Sequence, residues 1–269
     1  MNMTQTRPER TLLDEQSAQV TRTKPRLWRW MSSTVVREFV LLAVLYAGYS
    51  LVRGFSGHDR LPAFAHAVRI QRIDIDLGLR FGWLNRVFSS HAVLGIAGDY
   101  WYATMHYIVT LTVLVWLFSK HRAVYFPARR VLVFATLVAL VFFLLLPTAP
   151  PRMFPGYTDV MSLHAHAGWW SANASAPRGF GPMANDFAAF PSMHAGWSLW
   201  VALAVWRATR NPILRFASAL YATCTAIVVV GTANHWSIDV VAGWVIVLAI
   251  WPAVFGGFRA HAPAPSLAD

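Results

Sequence analysis

From Val131 to Leu146 the chain carries no charged residue, and Pro147 ends the run. A stretch of that kind has no polar face to turn toward water, so it dictates its surroundings more than any other feature. The pattern repeats, giving six apolar runs: 35–52, 91–118, 131–146, 191–207, a fifth ending near 233, and 238–255. About 20 apolar residues carry a helix across the hydrocarbon core of a bilayer. A soluble domain would hide one core behind polar faces, but 56% of these residues are hydrophobic and only 13% charged. These features predict an all-α polytopic membrane protein: six transmembrane helices forming one bundle over 35–256, with no room for a second domain.

The flanking segments differ in character. Residues 1–34 are polar and basic and are expected to be disordered or to lie on the membrane surface. No cleavable signal peptide is expected, since the first apolar run starts far from the N-terminus. Residues 257–269 form a C-terminal tail. Between the first two spans, 53–90 is mixed: Leu61, Phe64, Val68, Ile75 and Leu79 fall on one helical face that Arg72 interrupts. This predicts one or two interfacial helices.

The formal charge of +11 follows the same plan. Basic residues crowd into the tail and the short connections, Lys120, Arg122, Arg129 and Arg130 in one and Arg207, Arg210 and Arg215 in another. Positive charge collects on cytoplasmic loops, so both termini and the loops 119–130 and 207–215 are expected inside. The segments 53–90, 148–190 and 234–237 then lie outside, on the outer face of a bacterial plasma membrane. No accessible basic surface of the kind nucleic acid requires is left over. The single cysteine, Cys224, excludes an internal disulfide and reads as a buried structural thiol.

Chain-crossing parity brings a few polar groups together. Arg152 leaves the third span and His194 enters the fourth, with only a loop between them. Two crossings separate His194 from His235, so all three share one side. His235 and Asp239 stand at i and i+4 on one helical face, where the carboxylate can accept the imidazole Nδ1–H and leave Nε2 free to attack phosphorus. Asn234 can donate to a phosphoryl oxygen or cap the helix. In Phe190-Pro191-Ser192-Met193-His194-Ala195-Gly196, a proline at a helix start precedes free N–H groups that suit an anion, with the Ser192 hydroxyl beside them. In Pro147-Thr148-Ala149-Pro150-Pro151-Arg152, the guanidinium can bind two phosphate oxygens. His106 and Asp99 on the second span are candidates for supporting the site. His164 and His166 lack a carboxylate or thiolate to complete a metal set, and no metal or cofactor is expected.

The stretches FPSMHAG and TANHWSIDVVAGW resemble the second and third signature motifs of the type 2 phosphatidic acid phosphatase superfamily. Within it the chain is most similar to the branch containing inositol phosphorylceramide synthase and its bacterial relatives, from about Arg69 through Trp251. The resemblance implies a six-helix core and metal-independent chemistry through a phosphohistidine. Carried onto this chain, it implies His235 as nucleophile, Asp239 as its orienting partner and His194 as the acid for the leaving oxygen. Arg152 would replace the basic residue of the first motif, and Ser192 would help to hold phosphate. The chain departs from the pattern twice: PPR stands where KxxxxxxRP is usual, and Val228 and Val229 stand where a Ser-Arg pair precedes the third-motif histidine.

The resemblance thus implies hydrolysis of a lipid phosphate ester, with the lipid held in the membrane. One missing phosphate-binding cation leaves open the alternative, transfer of a phosphoryl-bearing group to an alcohol acceptor as in the synthase branch. A proton-coupled transporter is the rival from another class. It requires ionisable groups spread through the depth of several spans, whereas these gather at one end.

Overall fold

The computed structural model describes residues 60–79, 81–171, 174–177 and 186–257, with a few positions between 36 and 48. The chain divides into two compact units, 1–48 and 49–269. In the first, Val36, Val40 and Ala47 are helical; the span expected at 35–52 otherwise lies outside the described residues, as do the tail 1–34 and nearly all of 257–269.

The second unit is helical. α1 (Arg60–Asp76) and α2 (Gly82–Ser90) precede α3 (Ala92–Lys120) and α4 (Arg122–Leu145). A 3-10 turn (Pro151–Met153) and the short α5 (Val160–Leu163) occupy the long loop, followed by α6 (Met193–Ala208), α7 (Pro212–Gly231) and α8 (Ser237–Phe255). The described strands are a two-stranded antiparallel ribbon in that loop, β1 (Trp170–Ser171) with β2 (Ala174–Pro177), pairing Trp170 with Pro177 and Ser171 with Ala174.

Four helices, α3, α4, α7 and α8, are long and apolar enough to cross a membrane. α6 has 16 residues, about 24 Å at 1.5 Å per residue, which is short of a hydrocarbon core about 30 Å thick. It is instead the central element, packed against α3, α4, α7 and α8, with Trp200, Val201, Ala204 and Val205 buried. They join Leu114 and Leu117 of α3, Val131 and Leu132 of α4, and Val247 and Trp251 of α8 in the main apolar cluster. That cluster fills the end of the bundle reached by the C-termini of α3, α6 and α8. The polar residues of interest lie at the other end.

Two expectations are corrected. The basic segment 119–130 is not a loop, because α3 and α4 meet at His121 and Arg122 already begins α4. Contacts of guanidinium with aromatic rings accompany this: Arg122 lies over the Phe118 ring at 4.8 Å and Arg129 over Phe126 at 5.6 Å. On α1 the buried face is Ala63, Ala67, Ile70 and Asp74, while Leu61, Val68 and Ile75, of the stripe expected to lie against the bilayer, are exposed. Small alanines won that face because α1 approaches other backbone closely: the Ala149 N–H donates to the Ala63 carbonyl at 3.1 Å. Cys224, expected buried, is half-buried on α7.

Glycines set the closest helix approaches. A Cβ on Gly243 of α8 would overlap the Ser192 carbonyl oxygen at the start of α6. On Gly98 of α3 it would instead meet the Phe88 ring at 2.7 Å. Backbone at the α6 start cannot move aside, whereas a ring can turn. Gly243→Ala should therefore cost about 2–3 kcal/mol and Gly98→Ala about 1 kcal/mol, read as a larger fall in melting temperature for the purified Gly243 variant. Equal losses would contradict this packing.

Candidate active site

α7 ends at Gly231 and α8 begins at Ser237, leaving a buried five-residue turn in which Ala233, Asn234, His235 and Trp236 have almost no exposure. The Asn234 and His235 N–H groups both donate to the Val229 carbonyl, at 3.1 and 3.0 Å. Ala233 adopts φ 59°, a left-handed conformation costing a non-glycine residue about 1–2 kcal/mol. Its carbonyl accepts the Arg152 N–H at 2.9 Å, which ties the turn to the long loop.

Two carboxylates then close the start of α8. Asp239 Oδ2 accepts the Trp236 N–H at 2.8 Å. Asp74, from α1, accepts the Ser237 and Ile238 N–H groups on its two oxygens, at 2.9 and 2.8 Å. Negative charge is favourable at a helix N-terminus, where N–H groups lack internal partners. Burial raises the Asp74 carboxyl above its ordinary pKa, and the two backbone hydrogen bonds work against that rise. Sequence reading missed Asp74, because it is 163 residues from Ser237.

His235 is buried at this turn, and its Nδ1–H donates to the Ala189 carbonyl at 2.8 Å. The expectation that Asp239 accepts this proton is corrected. Asp239 Oδ2 is 3.5 Å from Nδ1, too long for a good hydrogen bond, because that oxygen is committed to the Trp236 N–H. His235 Nε2 and Asp239 Oδ1 are both buried without a hydrogen-bond partner among the described residues. Burial pushes the His235 imidazole down to about 4; the Ala189 bond opposes this and the nearby Arg152 charge adds to it. At neutral pH the ring is therefore neutral, with its proton on Nδ1 and the Nε2 lone pair open.

His194 sits in the first turn of α6, and its ring centroid is 5.6 Å from that of His235. Two residues of α3 wall it in: Tyr102 stacks at 4.3 Å with 19° between planes, and His106 meets it edge-on at 4.2 Å. Ser192 is the N-cap of α6 and fully buried, its Oγ accepting the Ala195 N–H at 3.4 Å. Its own N–H donates to the Asp239 carbonyl at 2.9 Å, so the entries of α6 and α8 are stitched together. Pro191, expected in the first helical turn, precedes this cap.

Arg152 reaches the same region from the 3-10 turn. Its Nη1 donates to Asn234 Oδ1, Nη2 to Asp186 Oδ1 at 3.3 Å, and Nε lies 3.7 Å from Asp159 Oδ2. Asn234 Nδ2 donates to Thr232 Oγ1 at 2.9 Å. Asn234 thus braces the guanidinium and does not cap α8, whose N-cap is Trp236.

Of the two candidate supporting residues, His106 touches His194 but Asp99 turns to the long loop. There His164 Nδ1 donates to Asp99 Oδ2 at 2.9 Å, both groups buried. His164, which the sequence offered only as half of an incomplete metal pair, therefore anchors the long loop to α3. Among the described residues no group of three His, Cys, Asp or Glu is placed to hold a metal ion.

A histidine pair facing across one end of a helical bundle, with an arginine braced beside it, suits phosphoryl chemistry. The family model described as PAP2 superfamily matches residues 68–253, which contain every residue placed here. No curated protein and no solved structure matches the chain. The match covers more than half of the sequence and both histidine motifs, so the chain belongs to the PAP2 superfamily, whose members are phosphatases or phosphotransferases.

Proposed function

We propose that this protein is an integral membrane lipid phosphatase that works through a phosphohistidine on His235. The observation that carries the reading is the buried, unpartnered Nε2 of a neutral His235 with the His194 ring 5.6 Å away. In the first step the Nε2 lone pair forms the P–N bond and the P–O bond to the lipid breaks, the departing oxygen taking a proton from His194. In the second, His194 removes a proton from water, the new P–O bond forms, and the P–N bond breaks to release phosphate. Arg152 and the Ser192 hydroxyl hold the phosphoryl oxygens. Asp239, 3.5 Å behind the ring, stabilises the positive charge that His235 gains on attack.

In this reading the chain crosses the membrane six times: once at 35–52, four times in the long apolar helices, and once in α6 with its entry segment. The termini lie in the cytoplasm and the site faces outward in a plasma membrane. α1 and α2 lie at the interface, with the exposed Leu61, Val68, Leu77 and Trp83 against lipid. Hydrolysis in this reading uses no metal or cofactor, the phosphate being held by the Arg152 guanidinium and the Ser192 hydroxyl.

Transfer to an alcohol is a second reading, favoured by one feature. Val228 and Val229, both buried, stand where the family pattern has Ser-Arg, so the second phosphate-binding cation is absent. Incubating the enzyme with a lipid phosphate and a polyol, then measuring free phosphate against new lipid product, separates the two.

His235→Ala and His194→Ala should each lower turnover on a lipid phosphate by about 10³-fold or more while leaving expression and melting temperature near wild type, and Asp239→Asn by about 10²-fold. Near-normal turnover by His235→Ala would refute the mechanism. Activity should persist in excess EDTA; a loss reversed by one specific ion would reveal a metal requirement. Because the buried His235 titrates near 4 against about 6.5 in the unfolded chain, the unfolded state binds the extra proton between those values. Stability should therefore fall as pH drops from 6.5 toward 4, and His235→Gln should flatten that slope. An unchanged slope would show that His235 is charged when folded.

A further inference from the structure

Tyr102 plays no part in the steps above, yet its ring lies almost flat against His194, centroids 4.3 Å apart and planes 19° apart. It stands one turn before His106 on the same face of α3, so one helix supplies two walls around a single imidazole. His106 is itself fixed, with Nδ1–H donating to the Tyr102 carbonyl at 3.1 Å. Hydrogen bonds to α7 hold this part of α3 on either side of Tyr102. The Trp101 indole N–H donates to Thr225 Oγ1 at 3.1 Å, and the Tyr221 hydroxyl to the Met105 carbonyl at 3.2 Å. The Tyr102 ring is also 6.4 Å from the His235 ring, so it borders the gap where a phosphoryl group would sit. The ring is thus held in a nearly parallel stack on the one imidazole that must aim a proton.

We propose that Tyr102 is a positioning residue for proton delivery, its ring holding the His194 imidazole in the plane from which it protonates the departing lipid oxygen. This rests on the reading of His194 as the general acid. A flat aromatic wall allows the imidazole to slide in its own plane but not to tip out of it. It therefore preserves the line from the ring N–H to the leaving oxygen on one side of phosphorus while Nε2 of His235 attacks from the other. The aromatic ring is what matters here, so phenylalanine should serve in place of tyrosine.

The role makes a distinctive demand on the substrate. An alkoxide leaving from a lipid must be protonated as the P–O bond breaks, whereas the p-nitrophenolate of p-nitrophenyl phosphate departs without a proton. The test follows only the first turnover, before hydrolysis of the phosphohistidine draws on His194 for either substrate. It compares release of the alcohol from a dialkylglycerol phosphate in mixed micelles with the burst of p-nitrophenolate from p-nitrophenyl phosphate, for wild type, Tyr102→Leu, Tyr102→Phe and His194→Ala. For Tyr102→Leu, the first-turnover rate on the lipid should fall by about 10–10²-fold, the scale of a misaligned catalytic group, with the half-saturating lipid concentration nearly unchanged. Its p-nitrophenolate burst should keep a rate near wild type, which also shows that the variant is folded. Tyr102→Phe should resemble wild type on both, and His194→Ala should show the lipid-selective loss of the first step in stronger form. If His194→Ala is lipid-selective but Tyr102→Leu loses both activities equally, or neither, the positioning role is wrong. If His194→Ala itself shows no selectivity, the acid assignment fails and the proposal falls with it.

Discussion

The turn between α7 and α8 is the constraint on which the rest of this structure depends. It buries a chain of polar backbone groups at one end of an apolar bundle, where an unsatisfied N–H is expensive. The N–H groups from Asn234 to Ile238 are therefore all taken: Val229 accepts two, Asp239 one, and Asp74 two. Arg152 binds the outward carbonyl of Ala233, and Ser192 binds the carbonyl of Asp239. With those bonds made, the exceptions stand out. Among the described residues, His235 Nε2 and Asp239 Oδ1 are the side-chain atoms at this turn that are buried and unpartnered, and they belong to two of the residues that the proposed chemistry uses.

The same network explains how four segments distant in sequence meet at this turn. α1 brings Asp74, α3 brings Tyr102 and His106, the long loop brings Arg152 and the Ala189 carbonyl, and α6 brings His194. Short contacts hold them: the Asn85 side chain joins α2 to the Thr158 and Gly231 backbones, and His66 of α1 donates to the Pro147 carbonyl. Small residues then allow the backbones to close, as at Gly243 against Ser192. The long loop is thus a structural wall of the site, fastened to α3 by the buried His164–Asp99 pair.

Much of this was legible from residues 131–146, the two histidine motifs and the parity of crossings between them, because hydropathy and helical spacing are local. The i, i+4 relation of His235 and Asp239 was equally legible. What escaped was set by tertiary partners. Asp74 and Tyr102 carry no sequence sign of the groups they meet, since one caps a helix far along the chain and the other stacks on a ring across the bundle. The buried face of α1 carried no such sign either, because alanines, not large apolar residues, permit its closest approach. The segment 119–130 was misread because arginine at a bilayer edge can belong to a helix as readily as to a loop. The proton acceptor of His235 could not be foreseen, as a backbone carbonyl can arrive from anywhere.

The central claim is that phosphorus becomes bonded to a nitrogen of His235. Reaction with a 32P-labelled lipid phosphate, stopped with alkali within the first turnover and digested, tests it directly. The account predicts label on the peptide containing His235, stable to base and lost in mild acid as a phosphoramidate is, and absent from His235→Ala. Label on another residue, or none during active turnover, would contradict it.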